Sequence, residues 1–304
     1  MKPCLCILFS IWLPYIVHGQ SSRLNKDKFT IAIYGDYLRE DLQWSIAGNS
    51  NGQNPNVLSE LKWKDLKLRG AGLDINIAIL HGIYFSGSYH TATIYSGYAT
   101  DTDYGEDNKK SPTYQAIVNS DKGRTYSYFA GLGYKYSIYS ILNIFPYAGY
   151  SKNKQSLFLK ESNIELLEGE KKLNSSYQTN WAGPLIGLAI DAPLKSWFSI
   201  QADFSIARLA YTGLADWNMI DSFAHPLSFK HKANSYQNNI NLKIDFKVVL
   251  KITIFLKGEY IHAETGKGTD QLFLNDGHTL HSQFNGAERN NKGIALGVCY
   301  RPVL

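Results

Sequence analysis

Cysteine is nearly absent from this chain. Of its three cysteines, Cys4 and Cys6 fall within the first twenty residues, so export processing would leave Cys299 alone. One thiol excludes an internal disulfide framework and a cysteine-based metal site. Long apolar runs are missing as well: beyond Gly19 no stretch approaches the ~20 residues that a helix needs to cross a bilayer. Basic residues do not cluster into runs, and the formal net charge is only +5. Nucleic acid is therefore not an expected partner, whereas contact with anionic lipid headgroups fits a mild positive charge. His81, His90, His231, His262, His278 and His281 are scattered without metal-ligand spacing. No metal and no other cofactor is expected.

The chain is rich in alternation. Ile240, Leu242, Ile244, Phe246 and Val248 take every second place, with Asn241, Lys243, Asp245 and Lys247 between them. A strand puts these sets on opposite faces, and a helix of period 3.6 cannot. Tyr126, Tyr128, Ala130, Leu132, Tyr134 and Tyr136 share a face in the same way, as do Phe198, Ile200, Ala202, Phe204 and Ile206. About ten such stretches lie near 28–45, 58–78, 81–100, 114–137, 142–160, 172–191, 196–215, 226–248, 251–265 and 280–301. Short turns near 80–82, 137–143, 192–196 and 249–250 alternate with long polar connections near 46–57, 101–113, 161–171, 214–226 and 265–279. A soluble β-sandwich of this length would need more and shorter strands.

The expected fold is thus all-β: a ten-stranded antiparallel transmembrane β-barrel with long extracellular loops and short periplasmic turns. Residues 1–19 read as a cleaved signal peptide, with Lys2, an apolar core from Leu5 to Val17, and small residues before the cut. Residues 20–304 would form a single barrel in a bacterial outer membrane, loops facing outside, closed by pairing the last strand with the first. The last strand has its aromatic at Tyr300, followed by a short tail.

Chemistry at the rim centres on Asp101 and Asp103. Two apart in a strand-like segment, they share a face, and close carboxylates repel, so that one holds its proton and the pair can orient a water. The same spacing describes an ordinary solvated acidic loop.

Gly97-Tyr98-Ala99-Thr100-Asp101-Thr102-Asp103-Tyr104 resembles the first catalytic segment of the omptins, outer-membrane endopeptidases with ten strands. Leu58 to Lys64, Tyr147 to Tyr150, Tyr177 to Leu188 and Asn285 to Ala287 resemble further omptin segments in the same order. The resemblance implies an Asp-x-His dyad on the fourth long loop, its His acting as general base and water as nucleophile. Matching Tyr211-Thr212-Gly213 to the family puts Asp221 at the dyad Asp and Phe223 at the His. An ungapped register puts Asp216 and Asn218 there instead. Neither Phe nor Asn is a base. His225, four residues from Asp221, is the nearby candidate for the role, with Asp221 as its partner; a plain loop histidine is the alternative. The resemblance also implies lipopolysaccharide contact on the outer wall, for which Lys152 and Lys154 are the candidates, although Asn180 stands where the family has Arg. Lysines of this kind also snorkel at membrane interfaces.

Three functions remain open on these residues. The first is an omptin-like endopeptidase using Asp101, Asp103, Asp221 and His225 on an extracellular peptide or protein. The second is a catalytically inactive barrel acting as an adhesin or binding a host surface ligand. The third is a small pore.

Overall fold

A computed structural model describes residues 29–139, 141–161 and 171–302. The expected signal peptide lies outside the described residues. Thirteen strands make one antiparallel sheet: β1 (Phe29–Ile46), β2 (Ser59–Leu80), β3 (Ile83–Glu106), β4 (Lys110–Asn119), β5 (Gly123–Tyr134), β6 (Tyr136–Ile138), β7 (Leu142–Lys160), β8 (Asn174–Lys195), β9 (Phe198–Asp216), β10 (Phe229–Val249), β11 (Ile252–Thr265), β12 (Gly268–Phe273) and β13 (Thr279–Tyr300). β1 pairs with β13 from Ile31↔Tyr300 to Ile46↔Phe284, which closes the sheet on itself.

Among the described residues thirteen rather than ten strands arise because the expected strand at 114–137 is broken into β4, β5 and β6 and the expected connection at 265–279 contains β12. β4, β5 and β6 share the space between β3 and β7, and β11 and β12 share that between β10 and β13. Two expected connections are also mostly strand. β3 runs on to Glu106 and turns through a single 3-10 turn at Asp107–Lys109 into β4, and β12 occupies 268–273. Polar composition made these segments look like loops; hairpins that rise clear of an apolar layer carry polar residues on both faces.

Alternation sorts each strand. Outward residues from Ile33, Leu73, Leu132, Ile186, Phe204, Leu242, Leu256 and Leu296 form an exposed apolar band. Tyr37, Tyr95, Tyr128, Tyr150, Tyr236 and Tyr260 are exposed toward its long-loop edge, and Tyr134, Tyr136, Trp197, Phe246 and Tyr300 toward the edge with the short turns and the described ends of the chain. Two aromatic girdles around an apolar band are what a bilayer selects on a barrel wall.

The interior is filled. Toward the long-loop end, Trp63 stacks on Tyr177 at 5.3 Å, Trp181 packs on Tyr211 at 4.4 Å, and Tyr211 stacks on Phe284 at 5.6 Å. Trp63, Trp181, Tyr177, Tyr211 and Phe284 are fully buried. Each such ring pair contributes about 0.5–1.5 kcal/mol beyond burial of its area. Beneath this plug Arg289 binds Glu40 at 3.1 Å and donates to Asn153 at 2.7 Å, while Asn291 and Gln155 also donate to Glu40. Both Glu40 carboxyl oxygens thus accept hydrogen bonds inside the lumen.

Candidate functional site

The mouth at the long-loop end is built from strand ends that rise beyond the apolar band. Asp101 and Asp103 lie on β3 past Tyr95, where β3 is still regular strand. Asp101 pairs across to Leu61 on β2 and Ala116 on β4, and Asp103 to Ser59 and Tyr114. Directly opposed residues share a face, and Leu61 is fully buried in the lumenal core, so both carboxylates point into the mouth. Burial, followed by the Asp103 charge, pushes the Asp101 carboxyl up to about 7, with the Thr102 backbone N–H opposing. Partial burial, then the same two carboxylates, raises Tyr114. Below about pH 7 Asp101 therefore keeps its proton beside Asp103. Thr102 faces the other way, opposite Glu60. Burial alone would raise Glu60, but Lys109 at 2.5 Å and Lys62 at 2.6 Å outweigh it and hold it below the usual range.

On the far side of the ring, β9 ends at Asp216 and the chain returns as β10. The intervening loop is pinned by a bridge between Phe223 and Leu274 and by the Ala224 N–H donating to the Phe273 carbonyl. That fold-back brings His225 beside the end of β9, where its Nδ1 sits 2.6 Å from Asp216 Oδ1. The expected partner Asp221 is elsewhere: it pairs with Lys171, which, with a further contribution from His225, lowers its carboxyl. The correction has a simple cause. Four residues of separation suit a helix or a tight turn, whereas this loop is tied to β12. Asn218 is occupied structurally, accepting from the Asn174 N–H and the Ser175 hydroxyl and donating to the Lys172 carbonyl. Phe223 is spent on the bridge.

His225 keeps Nε2 free of any protein partner among the described residues, and its side chain is 37% exposed. An aspartate on Nδ1 with Nε2 open is the orientation a general base needs. Among the described residues no hydrogen bond or ion pair joins His225 or Asp216 to Asp101 or Asp103. Asp216 alternates with the buried Ala215 and lies opposite Ser176, so it belongs to the outward set at the end of β9, with β4, β7 and β8 between it and β3 on one side.

A second histidine–aspartate pair was not visible in the sequence. His231 is completely buried among Trp44, Phe229 and Phe284. Its Nδ1 is hydrogen-bonded with the Tyr177 hydroxyl at 2.8 Å, which in turn bonds Tyr211 at 2.5 Å. Nε2 lies 3.2 Å from Asp270 Oδ1, poorly aligned, and Asp270 accepts from Ser282 at 3.0 Å. Burial lowers the imidazole's pKa against the pull of Asp270, so it is neutral at neutral pH. Alternation with Phe229 and Ala233 places His231 inward; its partner was hidden because β12 read as loop.

Lys152 and Lys154 flank the lumenal Asn153 on β7 and so face outward, opposite Tyr128 and Tyr126. Among the described residues no helix is long and apolar enough to cross a membrane, which is silent on strands, and no group of three or more His, Cys, Asp or Glu side chains is placed to hold a metal ion.

Comparison with known proteins follows this geometry. The fold of the outer membrane protease OmpT from Escherichia coli superposes with a TM-score of 0.70 at 12% identity, covering 90% of this chain and 97% of that one. The transport unit of the autotransporter AIDA-I from Escherichia coli matches at 0.41 and 12% identity over 93% of each chain, and the translocator domain of NalP from Neisseria meningitidis at 0.39 and 10% identity over 90% of this chain and 88% of that one. At such identities the OmpT likeness establishes architecture alone. No curated protein matches the sequence. The family model described as Pom, Protochlamydia outer membrane protein, matches residues 33–301. The chain is an outer-membrane β-barrel and belongs to the Protochlamydia outer membrane protein family.

Proposed function

We propose that the long-loop end faces the cell exterior and that its mouth is an omptin-like peptide-hydrolysing site. Counting each interrupted set as one stave gives a ring of ten, in keeping with that reading. The observation that carries it is an oriented His225 at the same long-loop end as the Asp101–Asp103 pair. Burial and Asp103 push the Asp101 carboxyl up to about 7, and His225 has its Nδ1 fixed by Asp216. His225 Nε2 takes a proton from a water as that water's oxygen adds to the peptide carbonyl. The protonated member of the Asp101–Asp103 pair donates a hydrogen bond to the oxyanion. Collapse breaks the C–N bond, and the imidazolium proton goes to the leaving amine. Asp221 takes no part in this scheme. The aromatic plug beneath supports a site that ends at the mouth rather than a channel. Lys152 and Lys154 offer contact to outer-membrane lipid or lipopolysaccharide headgroups.

The test is cleavage of an extended peptide bearing basic residues by lipid-reconstituted protein. Loss of cleavage in Asp101→Asn with Asp103→Asn, and in His225→Ala, is expected. No cleavage by folded, heat-modifiable protein overturns the hydrolase. The second reading, a surface-binding protein or adhesin, then stands; it is favoured by Asn218, which clamps the loop at a position where the resemblance asks for the base. Steady single-channel current across a planar bilayer would instead overturn the sealed lumen and favour a pore.

A further inference from the structure

β4 is paired on one side only over most of its length. Its outer neighbour β7 ends at Lys160, whose partner is Asn119, and these two residues make the pairing between the strands. From there the chain turns toward β8, where Glu161 accepts from the Leu173 N–H at 3.4 Å. Among the described residues, 110–118 therefore pair with β3 alone.

One bond shows which backbone groups are left over. The Ser120 N–H donates to the Gly97 carbonyl at 3.0 Å, in the register that β3 and β4 then keep. In an antiparallel ladder, pairs that exchange hydrogen bonds alternate with pairs that do not. Val118, Ala116 and Tyr114 accordingly bond β3. Ile117 and Gln115 turn their N–H and C=O to the open side, and Thr113 follows where the register shifts.

Sheet edges are ordinarily blunted by lysine, proline or other charge on the strand. Here those devices stop at the hairpin tip. Lys109, Lys110 and Pro112 precede Thr113-Tyr114-Gln115-Ala116-Ile117-Val118, a run without charge, proline or glycine. Thr, Tyr, Ile and Val all favour strands. Ile117 is 75% exposed, yet lipid does not cover it. It lies opposite Thr100, roughly 10 Å of tilted strand beyond Tyr95 of the long-loop girdle.

We propose that the open side of β4 binds an extended segment of another protein by strand addition, with Gln115 and Ile117 supplying the ladder hydrogen bonds. Free N–H and C=O groups at strand spacing select a polypeptide. A second copy of this chain does not fit. Copies in one membrane are related by rotation about its normal, so strands tilted by ~35–45° meet crossed rather than side by side. Charge narrows the occupant. On the mouth face the added strand lies beside Tyr114 and Ala116, which are opposite Asp103 and Asp101, so its residues there carry no acid. On the outer face a β-branched or aromatic residue covers Ile117. Binding of this kind needs no hydrolysis at the mouth.

The probe is a fluorescein-labelled peptide of about six alternating threonines and valines, the length of an ordinary strand, with lysines at one end for solubility. It is titrated into the full protein in phosphatidylcholine nanodiscs and read by fluorescence anisotropy. Saturable binding is expected. Gln115→Pro removes an N–H that faces the open side and bonds nothing in β3, a change that edge strands tolerate. The variant should stay heat-modifiable while binding falls about tenfold, the worth of a lost ladder bond. Gln115→Ala keeps the backbone and should bind as the parent does. The same peptide N-methylated at every amide should not bind, and it decides the matter if Gln115→Pro fails to fold. No binding by folded protein, equal binding of the N-methylated peptide, or equal losses in Gln115→Ala and Gln115→Pro overturns the proposal. So does a dimer that Gln115→Pro abolishes, which would make a second copy the occupant. The readout is binding alone, so it stands or falls apart from any cleavage at the mouth.

Discussion

His225 and His231 lie six residues apart and each faces an aspartate, yet their settings are opposite. His225 stands on the pinned loop with one nitrogen held and the other open to solvent. His231 sits inside the aromatic plug with both nitrogens facing protein groups. A histidine–aspartate pair therefore signals chemistry only where one ring nitrogen is left over. Inside the plug the pair serves packing: it satisfies Tyr177 and joins β10 to β12, whose end at Phe273 is followed by Leu274, the residue bridged to the His225 loop.

Breaking the buried pair should have the largest effect. His231→Ala removes one of the two partners of the Tyr177 hydroxyl, leaves Asp270 with Ser282, and opens a cavity among rings, a cost of about 3–5 kcal/mol. His225→Ala should cost less than about 1 kcal/mol. Denaturant midpoints of refolded protein in detergent measure both, and equal losses would erase the distinction. Next, replacing Asp101 and Asp103 together with Asn should lower any peptide cleavage by about 10²-fold or more, while the folded fraction on an unheated gel stays unchanged.

The Asp101 pair also makes a pH prediction. Its carboxyl is raised to about 7 in the fold, so between about pH 4 and pH 7 the folded chain holds a proton that the unfolded chain has lost. Stability therefore falls as pH rises through that window. Asp101→Asn should raise the unfolding free energy at pH 8 by on the order of 2 kcal/mol relative to its effect at pH 4. A pH-independent effect would show that Asp101 does not hold that proton. Smallest of all, Asp221→Ala should leave the midpoint unchanged, because the carboxylate it removes is fully solvated apart from Lys171.

The wall was legible from side-chain period alone. Phe198 to Ile206 and Ile240 to Val248 alternate without interruption, and their outward sets form the apolar band. Asp101 and Asp103 were legible as a same-face pair for the same reason. The partner of His225 was not, because Asp216 and Asp221 are both near in sequence and only the bridge from Phe223 to Leu274 chooses between them. Asp270 was hidden by its polar neighbours, which resemble a loop until β12 is seen paired on both edges. The open side of β4 was hidden more deeply. Thr113 to Val118 reads as ordinary strand, and only the end of β7 at Lys160 leaves one side of it without a partner strand among the described residues.

By itself the sequence determined which residues face lipid and which face the lumen, since a strand's period of two is a local property of the backbone. Tertiary structure decided every partnership: Asp216 with His225, Asp270 with His231, and, among the described residues, 110–118 of β4 with β3 alone. Register and closure set those, and both depend on how distant strands meet when the sheet bends round and joins its own first edge.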